Sequence, residues 1–134
     1  MRVKANAYFG PVLKAIGDAG TVQVLQGTHP GLSGVAVTVP VLASHDSHFN
    51  RMTYLNFCAG IQSSLSVETV TQYLLPLALA LVDDRVANVR LAVVKLLRSL
   101  MAHNATAYGE TCAQVAKSMV EDSDRDVRML ANEF

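Results

Sequence analysis

Arginine recurs four times in this chain in front of an apolar stretch of helical period, at Arg2, Arg51, Arg90 and Arg128, with intervals of 49, 39 and 38 residues. The columns counted from each arginine agree with one another. Six positions on stand Tyr8, Phe57, Leu96 and Phe134, seven on stand Phe9, Cys58 and Leu97, and ten on stand Val12, Ile61 and Leu100. The position before the arginine holds Met1, Val89 and Val127, with Asn50 as the exception. The last two copies also match through their lead-ins, Leu81 to Arg90 against Met119 to Arg128. A unit of about 40 residues made of two helices cannot bury its apolar face alone and must stack on its neighbours. The expectation is an all-α solenoid of three to four repeats, a right-handed α-α superhelix, filling residues 1–134 as a single domain.

Each helix is read from its stripe. Residues 2–16 place Ala5, Tyr8, Phe9, Val12, Leu13 and Ile16 on one face, interrupted by Gly10-Pro11, where proline removes a donor and crowds the preceding turn. Residues 17–34 are rich in glycine and turn signals and account for the long first interval. Val35 to Val39 alternates and is β-branched, so taken alone it looks like a strand, but the repeat frame makes Val35 to Ala43 a helix. After a turn at Ser44 to His48, the spacing predicts helices over Phe49–Gln62, Ser66–Val82 with a bend at Pro76, Val89–Met101, Thr106–Val120, and Asp124 or Arg125 to the end. Met52, Met101, Met119 and Met129 fall at or beside packing columns and are expected to fill the core. The columns at both ends lack stacking partners, which implies a fragment of a longer array or end-to-end association with another chain.

Composition narrows the function. Hydrophobic residues make up 51% and charged residues 16%, enough apolar surface for a core. Eleven basic against eleven acidic side chains leave no net field to hold phosphate backbones, so nucleic acid is disfavoured as a partner. Met1 to Asn6 opens no signal-peptide pattern, and the longest apolar run, Leu74 to Val82, is far below the roughly 20 residues a membrane helix needs. Cys58 and Cys112 lie inside predicted helices without metal-ligand spacing and read as buried, reduced thiols of a cytoplasmic protein, with the nucleus as the other compartment. His45-Asp46-Ser47-His48 has no third ligand nearby, His29 and His103 belonging to other loops, so it reads as a polar turn and no metal or cofactor is expected. No glycine-framed nucleophile, phosphate loop or paired catalytic carboxylate motif is present, and the chain is read as non-enzymatic.

The arginines raise a problem of their own, since a cation near a helix N-terminus opposes the macrodipole. Asp84 and Asp122, and Asp46 in the earlier copy, are the natural partners, so Arg51, Asp84, Arg90, Asp122 and Arg128 are expected to form a structural ladder, within repeats or between neighbours. The acidic run Glu121 to Asp124 reads as a solvated turn, with Ser123 inside it as a possible target of an acid-directed kinase.

Paired helices of this length, proline within the first, an acid-rich turn and then Val-Arg opening the second resemble the HEAT repeat. The run Phe49-Asn50-Arg51-Met52-Thr53-Tyr54-Leu55-Asn56-Phe57-Cys58, followed by Leu74-Leu75-Pro76-Leu77 and by Val86-Ala87-Asn88-Val89-Arg90, is similar to the last repeats of the scaffold (A) regulatory subunit family of protein phosphatase 2A. Gly10-Pro11 and Gly27 to Gly34 depart from that pattern and leave a divergent relative open, such as a regulatory subunit of another phosphatase. The resemblance implies a ridge of intra-repeat turns, here Ser44–Asn50, Asp83–Asn88 and Glu121–Asp126, that docks the phosphatase catalytic subunit, with B-type regulatory subunits further upstream. His48, Phe49, Arg85, Asn88, Ser123 and Arg125 are the expected contact residues. The alternatives are a HEAT-type nucleic-acid-binding or DNA-repair protein, which needs a basic concave surface, and a transport or tubulin-binding HEAT adaptor.

Overall fold

A computed structural model describes residues 42–134. The Arg2 helix, the Gly10-Pro11 interruption, the 17–34 stretch and residues 35–41 of the strand-like segment lie outside the described residues, while residues 42 and 43 are helical. Among the described residues every regular element is a helix and none is a strand, so the fold is all-α.

Helix α1 (His48–Ile61) begins where Ser47 adopts extended backbone, and it runs into a 3₁₀ turn at Gln62–Ser64. Its buried side chains, Arg51, Tyr54, Leu55, Cys58 and Ile61, recur at the spacing of one helical face. Ser66 then caps α2 (Val67–Thr69), its hydroxyl accepting from the Thr69 amide at 3.2 Å.

Pro76 is accommodated by a change of helical register rather than by a break. Between α2 and α3 (Leu75–Leu79) lies a π segment, Val70–Leu74, closed by the Leu75 amide donating to the Val70 carbonyl five residues back. Proline in a continuous α-helix would clash with the carbonyl four residues behind it. The wider turn restarts the α register so that Pro76 stands in the first turn of α3, where its missing donor costs least. The buried Tyr54 hydroxyl donates to the Leu74 carbonyl at 3.0 Å and ties this junction to α1.

Helix α4 (Ala87–Met119) is two helices joined at Asn104, whose φ of −151° and ψ of 82° are not helical. The Asn104 side-chain oxygen accepts from the Ala107 amide at 3.1 Å and caps the second half. The chain folds back there. A Cβ placed on Gly109 would lie 3.7 Å from the Met101 sulfur, whereas eight residues of unbroken helix would separate them by about 12 Å. Asp124 caps α5 (Arg125–Ala131) by accepting from the amides of Asp126 and Val127.

Packing joins these pieces into one core. α1 lies against α4, and α4 against α5. Tyr54, Leu55, Ile61, Val70, Val89, Val93, Val94, Leu97, Leu100 and Val127 are fully enclosed, and each aliphatic side chain among them contributes about 1.5–3 kcal/mol by leaving water. The columns seven and ten positions after arginine, Cys58 with Leu97 and Ile61 with Leu100, are buried in both copies. Met119 is buried and Met52 and Met101 pack against the core, but Met129 is 55% exposed. Its expected place in the core is not filled, because no described element covers the outer side of α5. Cys58 and Cys112 are free and buried, and burial pushes their thiols up to about 12 and about 11.

Candidate functional site

Three turns precede α1, α4 and α5, and they are built alike. The residue six before each arginine folds its side chain onto the amide two residues on. Asp84 Oδ1 accepts from Val86 at 2.9 Å and Asp122 Oδ1 accepts from Asp124 at 2.9 Å. In the first turn the same place is held by His45, whose Nδ1 accepts from Ser47 at 3.0 Å. Each arginine reaches back into its own turn with Nη1. Arg51 donates to the carbonyls of His45 and Asp46 at 2.8 and 2.9 Å, Arg90 to that of Asp84 at 2.7 Å, and Arg128 to those of Asp122 and Ser123 at 2.7 and 3.0 Å.

The other edge of the guanidinium faces the next turn. Arg51 Nε and Nη2 donate to the two oxygens of Asp84 at 2.7 and 3.0 Å, and Arg90 repeats this on Asp122 at 2.8 and 2.9 Å. The ladder therefore runs between neighbours, with each aspartate closing its own turn and receiving the arginine of the preceding one. The planar fork of arginine suits this bidentate geometry as lysine would not. Side-chain exposure is 7% at both partners of the first rung and 13% and 10% at the second, so the pairs are largely shielded from water. Burial pushes the Asp84 carboxyl up, but the hydrogen bonds from Arg51 and the Val86 amide, with the charges of Arg51 and Arg85, outweigh it and hold the group below the usual carboxylate range. Asp122 is likewise held low, chiefly by the Arg90 hydrogen bond against opposing burial, and Asp122 in turn raises Arg90.

Asp46 does not hold the place expected of it. Its backbone carbonyl accepts from Arg51 and, at 3.3 Å, from Arg85, while its side chain is exposed. Counting back six residues from Arg51, as from Arg90 and Arg128, lands on His45. The station six residues before the arginine, not the acid nearest to it, marks the side chain that closes the turn.

Tied in this way, the turns form a ridge along one edge of the helices. The Arg85 bond to the Asp46 carbonyl bridges the first two turns, beside a cleft of about 430 Å³ lined by Ser44, His45, Asp46, Arg51, Asp84 and Arg85, among others. Arg90 Nη2 also reaches the Ser123 hydroxyl at 3.4 Å, joining the second turn to the third. Of the expected contact residues, Phe49 is 59% exposed and its ring lies 4.1 Å from the half-buried His48 ring. Arg85, Asn88, Ser123 and Arg125 are exposed. Phe49 stands in the first turn of α1 and does not line the cleft. Among the described residues no group of three His, Cys, Asp or Glu side chains is placed to hold a metal ion, and no helix is long and apolar enough to cross a membrane.

These features define an all-α protein whose helix-opening turns are fastened into a ridge by shielded arginine–aspartate rungs. No family model, curated protein or solved structure matches the chain.

Proposed function

We infer that the chain is a non-catalytic scaffold of a 2A-type serine/threonine protein phosphatase, its helices stacked as a right-handed HEAT-type solenoid and its turn ridge docking the catalytic subunit. The observation that carries this reading is Phe49. A phenylalanine left 59% exposed at the head of a helix, its ring tilted against that of His48, on a ridge held by shielded ion pairs, has the character of an aromatic anchor at a protein interface. Arg85, exposed on the next turn and oriented by the Asp46 carbonyl, supplies a charged contact on the same ridge. The exposed acids Asp46, Asp83, Glu121 and Asp126 on the same turns oppose a nucleic-acid partner. Mechanism in such a protein is geometry, since stacked units bend with little change inside each and can align a phosphatase with its B-type targeting subunits.

The test is capture of the phosphatase catalytic subunit by the chain carrying Phe49→Ala or Arg85→Glu, with circular dichroism as the folding control. Each substitution is expected to weaken capture while helicity stays unchanged. Undiminished capture by both variants rejects the ridge as the docking site.

A further inference from the structure

The residue five before each arginine is exposed in all three described turns: Asp46, Arg85 and Ser123. Only the third of these stations carries a hydroxyl, and that hydroxyl is coupled to the ladder. Ser123 Oγ accepts from Arg90 Nη2 at 3.4 Å, and the same nitrogen donates to Asp122 Oδ1 at 2.9 Å. The rung this nitrogen serves is the more open of the two, with side-chain exposures of 13% and 10% against 7% at both partners of the first. The station also acts differently on the two rungs. Beside Asp84 it holds Arg85, whose charge helps to keep that carboxyl ionised. Beside Asp122 it holds a neutral group that can be made anionic. In sequence, acids stand two and one positions before Ser123, at Glu121 and Asp122, and one and three after it, at Asp124 and Asp126. Asp122 is engaged by Arg90 and Asp124 by two backbone amides, while Glu121 and Asp126 are exposed.

We propose that Ser123 is the target of an acid-directed protein kinase and that its phosphate releases the second rung by drawing Arg90 away from Asp122. The kinase moves the γ-phosphoryl group of ATP to Oγ. The bond from the γ-phosphorus to the oxygen it shares with the β-phosphate breaks, the Oγ–P bond forms, the hydroxyl proton passes to the base of the kinase, and ADP leaves. The product carries about −1.5 to −2 charges at neutral pH and three strong acceptor oxygens. It arises next to a guanidinium that already directs an N–H at Oγ. A dianion attracts Arg90 more strongly than the single charge of Asp122 does, and it repels that carboxylate, so both effects act against the rung. Like-charge repulsion from Glu121, Asp124 and Asp126 works in the same direction. The modification does not depend on what the ridge docks.

The test incubates the folded chain with an acid-directed protein kinase and MgATP and locates the phosphate by tandem mass spectrometry. One phosphate is expected, on Ser123; Ser123→Ala should abolish it and Asp126→Asn should slow its addition several-fold. Phosphorylation should lower the thermal midpoint of the wild-type chain by about 5 °C. In Asp122→Asn, where Arg90 has lost its carboxylate, the same phosphate supplies the missing acceptor and should raise the midpoint instead. Hydrogen exchange in the wild-type chain gives a second measurement that needs no variant to fold. Exchange at the Asp124 amide, which Asp122 holds, should quicken on phosphorylation, while the Val86 amide, which Asp84 holds, should keep its rate. Failure of the folded chain to take phosphate on Ser123 overturns the proposal. So does a phosphate that leaves the midpoint and the Asp124 amide unchanged, or one that shifts the midpoints of wild type and Asp122→Asn in the same direction.

Discussion

Replacing Asp84 with asparagine changes one atom type at the centre of the first rung. The amide oxygen can still take the Val86 N–H and so preserve the turn, but the NH₂ group then faces an arginine fork that needs an acceptor. Removing one partner of a buried pair costs about 3–5 kcal/mol, most of it the isolation of the remaining charge. Arg51 keeps the His45 and Asp46 carbonyls, which places the cost near the lower end, about 3 kcal/mol. Against a total stability of about 5–15 kcal/mol this is a large fraction, and the thermal midpoint should fall by on the order of 10 °C. Urea unfolding followed by helical ellipticity measures it, in a cycle with Arg51→Met and the double variant. The double variant should cost clearly less than the sum of the singles, because neither charge is then stranded. The same rung sets the acid limit. Asp84 and Asp122 have lowered folded pKa values, so their contribution is fully present above the unfolded carboxylate value of about 3.9 and is lost as pH falls through the folded values. Wild-type stability should therefore hold down to about pH 5 and drop below about 4, and Asp84→Asn should flatten that drop. A single-variant cost under about 1 kcal/mol, or simple additivity, would refute the reasoning.

Three further outcomes test other parts of the structure. Cys58 and Cys112, both about 1% exposed with thiols pushed up to about 12 and about 11, should resist a disulfide reagent at neutral pH until the chain is unfolded in denaturant. Tyr54→Phe removes the donor to the Leu74 carbonyl in a fully buried site and should cost about 1–3 kcal/mol in urea unfolding. His45→Ala deprives the Ser47 amide of its acceptor and should cost about 1 kcal/mol, whereas His45→Asp, with the side chain the other two turns use, should restore that stability, read by the same unfolding curves.

Much of the helical layout was legible because apolar spacing and punctuation agree. The predicted breaks near Ser44–His48, Asp83–Asn88 and after Met101 lie within a few residues of the observed ones, since each is marked by polar turn residues, His45, Asp84 and Asn104, whose side chains bond the nearby backbone. The π segment was not legible. Pro76 announces a disturbance, but whether a helix bends or shifts register depends on packing, here on Tyr54 reaching Leu74 from another helix. The pairing of the arginines was only half legible. Their spacing fixes equivalent stations, but the nearest acid in sequence lies inside each repeat, whereas the observed partners stand 33 and 32 residues further on, and only stacking brings them together. His45 escaped for a different reason. Its ring nitrogen replaces the turn-closing function of aspartate without its charge, and a search for acids cannot see that substitution.

Adjacent residues in the second turn face opposite ways. Asp84 points inward into a rung with 7% side-chain exposure, and Arg85 points outward over the cleft. The division is incomplete, because the Arg85 charge helps to hold the Asp84 carboxyl low. Charge reversal at Arg85 thus weakens the first rung slightly even though it touches neither partner in it, while truncation of Phe49, which belongs to no rung, leaves the ladder alone. The two ridge variants therefore separate by their melting behaviour. If the ridge docks a protein, Phe49→Ala loses capture at an unchanged midpoint, and Arg85→Glu loses capture with a midpoint depressed at neutral pH, the depression fading as pH falls and the Asp84 carboxylate takes up its proton. Loss of capture that tracked the midpoint in both variants would mean that the ridge holds the fold together and recognises nothing.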